Sequence, residues 1–448
     1  MSAAPVVGAA AAGVPPVTVQ EASPRSSIGR RVTRDSLWIL SGYAVTSGAG
    51  FVFWIVAART VSPERLGVDT AVYSAVTAAA AIASSGVGNA LLVTISGDGR
   101  HGAAALRLGL VIAALVALVA GLGAGIGVAA LVDPGASPVA TVLGVALAVV
   151  VWTAFVLKDP VLTALGAAKW LLLMNGPVNV VKLAVLPVVV VALGTLGSLG
   201  SPIVVAALLP ATVAVAIAWS VLVPRRLRAV VGDQGHRELS GPERRSFRTF
   251  VLRDGSANGL YMGGSLLLPF VVTTFAGASE GALFALCFQI GLVLDLVVVS
   301  VGTSLIAHAA GQQGLVGAVA FRTWLVVLGV VAIAATCLVV ASPVLLSLLG
   351  PFYATAEGTL VLALLAGASV VRTAYEVWGS QQRARRRTTP VLICSIASTA
   401  VLVPGAVLAA GAGGAVGVAV LVLGVTLGLA VVGVVGLARA RRVLEVSS

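Results

Sequence analysis

Lys182, Asp295, Arg372 and Glu376 are each embedded in long runs of Val, Leu, Ala and Gly. A charge in such a run is costly, so it faces an interior cavity or a partner rather than hydrocarbon. Lys182 ends the stretch Asn175-Gly176-Pro177-Val178-Asn179-Val180-Val181-Lys182. Spacings of three and four residues put Asn175, Asn179 and Lys182 on one helical face, and Pro177 is placed to kink the helix that carries them. This face is expected to line a cavity; the plainer alternative has Lys182 snorkelling or pairing structurally. Arg372 and Glu376 stand one helical turn apart with Tyr375 between them, a spacing that predicts an internal ion pair. Asp295 is a candidate partner for Lys182 or Arg372, or a proton or sodium coupling site. Asn89, Asn258 and Gln289 are expected to make interhelical hydrogen bonds, and His308 and the Glu64–Arg65 pair read as local structure.

The elements that must position these groups are membrane-crossing helices. Hydrophobic residues make up 59% of the chain and charged residues 10%, where a soluble domain has about a quarter charged. So few charges cannot cover a soluble surface. The apolar runs are continuous rather than alternating, which excludes a β-barrel. Crossings are predicted at residues 36–58, 68–95, 106–132, 139–157, 170–193 and 202–223, and again at 254–276, 282–309, 322–349, 356–379, 389–411 and 414–438. At 1.5 Å per residue each spans ~30 Å of hydrocarbon. The predicted fold is an all-α polytopic membrane protein of about twelve helices in two parallel six-helix bundles around a central cavity. Residues 1–35 form a disordered basic tail, 36–223 the first bundle, 224–253 a basic linker, 254–438 the second bundle and 439–448 a basic tail.

Charge sets the orientation. The linker alone carries Arg225, Arg226, Arg228, Arg237, Arg244, Arg245, Arg248 and Arg253. With the N-terminus inside, nearly all of the 28 Lys and Arg fall on the inner side, Lys158 and Lys169 in an inner loop among them. Arg59 and Arg65 are outside, and Lys182 and Arg372 lie within spans. Cytoplasmic loops gather cations, so the chain is expected to be multi-pass in the cytoplasmic (inner) membrane with both termini cytoplasmic. The net charge of +12 then points to anionic inner-leaflet lipids rather than to nucleic acid. No metal-spaced His/Cys cluster, no phosphate-binding Gly-Lys-Ser/Thr loop and no Gly-x-Ser-x-Gly with plausible partners is present, so no enzyme activity and no cofactor is expected. Cys287, Cys337 and Cys394 lie in separate apolar runs and read as small buried residues.

The halves also echo each other. Arg34-Asp35 is matched by Arg253-Asp254, Pro63-Glu64-Arg65-Leu66-Gly67 by Ala278-Ser279-Glu280-Gly281, Arg107 by Arg322, and Asp133-Pro134 by Gly350-Pro351, all at a similar offset. A half of even span number repeated in the same orientation gives two bundles that rock against each other. The run Arg34-Asp35-Ser36-Leu37-Trp38, then Ala58-Arg59 and Pro63-Glu64-Arg65-Leu66-Gly67, resembles the opening of bacterial oligosaccharide flippases of the multidrug/oligosaccharidyl-lipid/polysaccharide (MOP) superfamily. Ser85-Gly86-Val87-Gly88-Asn89, Leu268-Pro269-Phe270 and Ala278-Ser279-Glu280-Gly281 are similar to later segments of that family.

The resemblance implies translocation of an undecaprenyl-pyrophosphate-linked oligosaccharide for cell-surface polysaccharide biosynthesis, by alternating access. Lys182 is then expected to meet the diphosphate, with Asn175 and Asn179 beside it. Arg372 would be a second phosphate ligand, released from Glu376 as cargo enters, since a guanidinium fork matches phosphate oxygens. Arg59, similar to a recurring arginine of the family, would stand at the cavity mouth, and Asn89, Asn258 and Gln289 would be possible sugar contacts. Expected partners are the glycan-lipid, a proton or sodium as coupling ion, and polysaccharide assembly proteins. Alternatives are a drug/cation antiporter of the same superfamily, a major-facilitator-type carrier, and a non-transporting scaffold of a polysaccharide assembly complex.

Overall fold

A computed structural model describes residues 48–97, 101–132, 137–167, 169–195, 201–231, 237–309, 316–384 and 389–445. The expected tail 1–35, the first part of the first crossing, Arg385 to Arg387 and the last residues lie outside them. Among the described residues the chain is helical, with no strand. The helices are α1 (Gly48–Thr60), α2 (Pro63–Gly97), α3 (Gly102–Leu131), α4 (Pro138–Ala164), α5 (Lys169–Thr195) and α6 (Pro202–Ile217). A π-helical turn, Ala218–Leu222, leads into α7 (Val223–Val231). Then follow α8 (Gly241–Leu266), α9 (Leu268–Ala276), α10 (Ala278–Ala309), α11 (Val316–Leu349), α12 (Ala356–Ala384) and α13 (Thr389–Glu445).

Ten of the described helical segments are long and apolar enough to cross a membrane. Two further features accord with the expected twelve. The shorter apolar α1 covers the later part of the first predicted crossing, and α13 is two helices joined by a kink at Gly413 and Gly414. Gly414 has φ +57°, in the left-handed region that glycine enters at little cost. The new helix that starts there is capped from outside: Ala415 N–H donates to the Glu280 carboxylate of α10 at 2.9 Å, which suits a helix N-terminus. Large side chains stand bare along the outward faces, with Val119 72%, Val340 76% and Leu408 76% exposed. That pattern belongs to a surface bathed in hydrocarbon.

The crossing built from α8 and α9 is broken near Pro269, which has no N–H to continue the ladder. Ser74 of α2 mends the break, donating to Leu266 O and accepting from Phe270 N. Backbone groups in a membrane need such internal partners. The basic linker expected at 224–253 is largely helical. The sixth crossing runs on through Pro224 to Val231, and α8 begins at Gly241, twelve residues or so before the apolar run, where Ser240 and Glu243 form a reciprocal capping box. Most of its arginines therefore stand on helical extensions beyond the hydrocarbon.

Candidate functional site

The two halves meet through their repeated segments. Glu64, in the first turn of α2, accepts a hydrogen bond at 3.1 Å from Ser279, in the first turn of α10. Gly67 abuts the backbone of Ala278, leaving no room for a Cβ, and its carbonyl accepts from Thr273 Oγ1 at 3.2 Å. At the same end Arg59 of α1 donates to the carbonyls of Ser347 (2.8 Å) and Leu348 (2.9 Å), which close the last turn of α11. A cation there satisfies carbonyls that have no partner within their own helix. A single apolar core backs this seam, taking Phe53, Trp54 and Leu66 from the first half and Leu268, Phe284 and Leu346 from the second.

The opposite, linker end is built differently. Leu91, Leu157 and Val161 pack with Phe247 and Val251 in one core, while Tyr375, Trp378 and Leu437 form another. The halves touch there along α2 and α8, where Gly86 crosses Gly255 and Asn89 Nδ2 donates to Asp254 Oδ2 at 2.7 Å. Asn89 is thus an interhelical tie, and Asp254, only 4% exposed, depends on it. The Arg59 end is shut by one shared core, and the linker end is held by two.

Between the ends lie the intramembrane charges. Arg372 pairs with Asp295 of α10 at 2.7 Å, not with Glu376 as its own-helix spacing predicts. The guanidinium also lies 5.9 Å from the Tyr261 ring of α8, so three helices converge on it. The pair is incompletely satisfied: Arg372 Nε, Asp295 Oδ1 and the Tyr261 hydroxyl are buried without a hydrogen-bond partner among the described residues. Glu376 is half-buried one turn away.

Lys182 sits on α5 with its ammonium 4.8 Å from the centre of the Phe53 ring of α1. Among the described residues no carboxylate or hydrogen-bond acceptor meets it, and Asp295, the candidate partner, is taken by Arg372. The face it is expected to share with Asn175 and Asn179 is divided among neighbours. Asn175 turns to α4, and Asn179 Nδ2 bonds back to the Asn175 carbonyl at 2.8 Å. Asn258 and Gln289 are half-buried with no hydrogen bond among the described residues. The side chain of His308 lies outside them.

Sequence reasoning misses one cluster and misplaces its centre. Lys158, expected in an inner loop, lies within α4 and is 0% exposed. Its ammonium donates to Asn175 Oδ1 (2.7 Å), Asp159 Oδ1 (2.8 Å) and Phe155 O (3.1 Å), which uses all three of its protons. Asn175 in turn donates to Asp159 Oδ2 at 3.3 Å. This closed network pins α5 to α4 beside Pro160 and Pro177, where each helix lacks a backbone bond. Lys158→Met is expected to destabilise the fold by about 1–3 kcal/mol, the cost of orphaned buried acceptors, and denaturation of the purified variant measures it.

No family model matches the chain, and no curated protein matches it by sequence. Solved structures align with it over almost its whole length. An inward-facing multidrug resistance MATE family transporter of the MOP superfamily superposes with a TM-score of 0.65 at 15% identity, covering 92% of this chain and 99% of that one. The lipid II flippase MurJ, in an inward closed conformation, does so at 0.64 and 12% identity, covering 92% and 87%. The chain shares the fold of these two proteins. Likeness to an outward-facing MATE transporter is nearly as high, at a TM-score of 0.63 with 17% identity and cover of 92% and 96%. Backbone likeness therefore does not choose a conformation. A multidrug resistance transporter and a lipid II flippase are thus both among the structures that share this fold.

Proposed function

We propose that this multi-pass membrane protein is a flippase for an anionic lipid-linked oligosaccharide, an undecaprenyl-pyrophosphate glycan by the resemblance of its opening residues. The observation that carries the proposal is Lys182, a half-buried cation within an apolar helix whose neighbour of note among the described residues is an aromatic ring. A charge within a membrane span that has no counter-ion is expensive, and a diphosphate is the kind of ligand that relieves it. Arg372, with Nε free of partners among the described residues, supplies a second cation from the other half. The sealed Arg59 end and the divided linker end support a state that receives cargo from the linker side, the cytoplasm in the orientation that the arginines favour. Cargo bound between Lys182 and Arg372 would draw on both halves, and loss of the Arg59 and Glu64 contacts would open the far side.

A second reading, a drug/cation antiporter, is favoured by Glu376, a half-buried carboxylate one turn from Arg372, whose close ion pair is with Asp295 instead. A deletion strain separates the two. Under the flippase reading the glycan-lipid accumulates on the inner leaflet and surface polysaccharide falls, with drug sensitivity unchanged. Normal glycan export with raised sensitivity to cationic drugs supports the antiporter.

A further inference from the structure

We propose that the linker end of the first half holds a docking site for an anionic phospholipid, its acyl chain in an apolar pocket and its headgroup phosphate on the arginines of α7. The pocket has a volume of about 340 Å³, within the range of small-molecule sites, roughly 300–1,000 Å³. Leu106 and Leu110 of α3 form one wall, and Trp219, Val223 and Leu227 form another. The π turn Ala218–Leu222 places Trp219 in that wall, and such turns recur at functional sites. The indole N–H is already engaged, donating to Ala154 O of α4 at 3.1 Å. The walls are almost wholly apolar, so the occupant of the pocket is apolar.

The surroundings identify that occupant. Val111, Val156 and Ile217, on the helices that frame the pocket, are exposed, so this face is in contact with lipid. The mouth is basic. Val223 and Leu227 are buried while Arg225 and Arg228 of the same short helix are exposed and Arg226 is half-buried. Arg228 Nε donates to Pro224 O at 3.3 Å, which folds its guanidinium over the turn that lines the pocket. Arg107, next to Leu106 on the facing wall, is exposed as well. Neither α3 nor α7 contains a carboxylate. On the neighbouring α8, Glu243 is engaged by Ser240 and lies 3.7 Å from His101. An apolar slot opening to lipid beneath guanidinium groups that have no ion pair among the described residues matches an acyl chain below a phosphate, since juxtamembrane arginines attract anionic headgroups and their forks fit phosphate oxygens. The proposal does not rest on the flippase reading.

Trp219 reports directly on the pocket. Purified full-length protein is placed in phosphatidylcholine bilayers containing a low, equal fraction of either phosphatidylglycerol or phosphatidylcholine with brominated acyl chains. Subtracting the emission of Trp219→Phe isolates the Trp219 signal. Quenching is expected to be several-fold stronger with brominated phosphatidylglycerol. The triple variant R225Q/R226Q/R228Q brings it down to the phosphatidylcholine level without changing the latter. Leu110→Trp fills the pocket, and phosphatidylglycerol binding counted by native mass spectrometry drops by at least one lipid. Equal quenching by the two brominated lipids, quenching by neither, or unchanged lipid counts in Leu110→Trp each overturn the site.

Discussion

Lys182→Met strongly reduces glycan-lipid translocation and leaves the protein as stable as the parent or more so. The two outcomes come from the same physics. Methionine keeps the length of the side chain and its packing against Phe53 but removes a charge that has no counter-ion among the described residues. Replacing a buried charge by an apolar side chain of similar volume is often neutral or stabilising. A charge-assisted contact to a diphosphate, by contrast, is worth about 1.5–3 kcal/mol, roughly ten- to a hundredfold in apparent affinity for cargo. Surface polysaccharide in a complemented deletion strain, with thermal denaturation of the purified protein, measures both. A variant that is unstable but transports normally would make Lys182 a structural residue.

The Arg372–Asp295 pair gives the opposite pattern. Arg372→Met or Asp295→Leu alone strands a charge that is almost wholly buried, with side-chain exposures of 12% and 13%. Removing one partner of a buried pair typically costs about 3–5 kcal/mol, a large share of a stability that is commonly about 5–15 kcal/mol. Low yield of each single variant is therefore expected. The double variant Arg372→Met/Asp295→Leu recovers most of that stability, because neither charge remains. Its transport stays low if Arg372 also binds cargo. Full transport by the stable double variant would reduce the pair to a structural tie between α10 and α12.

Much of this arrangement is legible in the amino-acid sequence. Continuous apolar runs locate the crossings, because hydrocarbon demands a fixed length of apolar helix. Gly413-Gly414 marks the kink in α13, since only glycine adopts such backbone freely. The repeat motifs are the surfaces by which the halves touch, as Glu64 and Ser279 show. Pairing is less legible. Arg372 has a carboxylate one turn away on its own helix, yet bonds to Asp295, 77 residues distant. Helical spacing reports what is near in sequence, while the packing of α10 on α12 decides which carboxylate points inward. Lys158 is easily misplaced because Lys158-Asp159-Pro160 looks like a loop. The helix instead continues through the proline to Ala164, with Asn175 completing the shell of the ammonium. The signal is present in two prolines flanking a short turn with polar residues on both sides, a pattern that calls for side chains to replace lost backbone bonds. The arginines of the linker suggest a loop, although Ser240 and Glu243 already form a capping-box pattern.

The most direct test of the central claim is reconstitution. The purified protein is placed in vesicles with a labelled undecaprenyl-pyrophosphate oligosaccharide in one leaflet, and its appearance in the other leaflet is followed with and without Lys182→Met. Translocation by the wild type, none in protein-free vesicles, and strong loss in the variant are the predicted result. Wild-type vesicles that leave the glycan-lipid in place under every imposed proton or sodium gradient, yet move a cationic drug, would contradict the account.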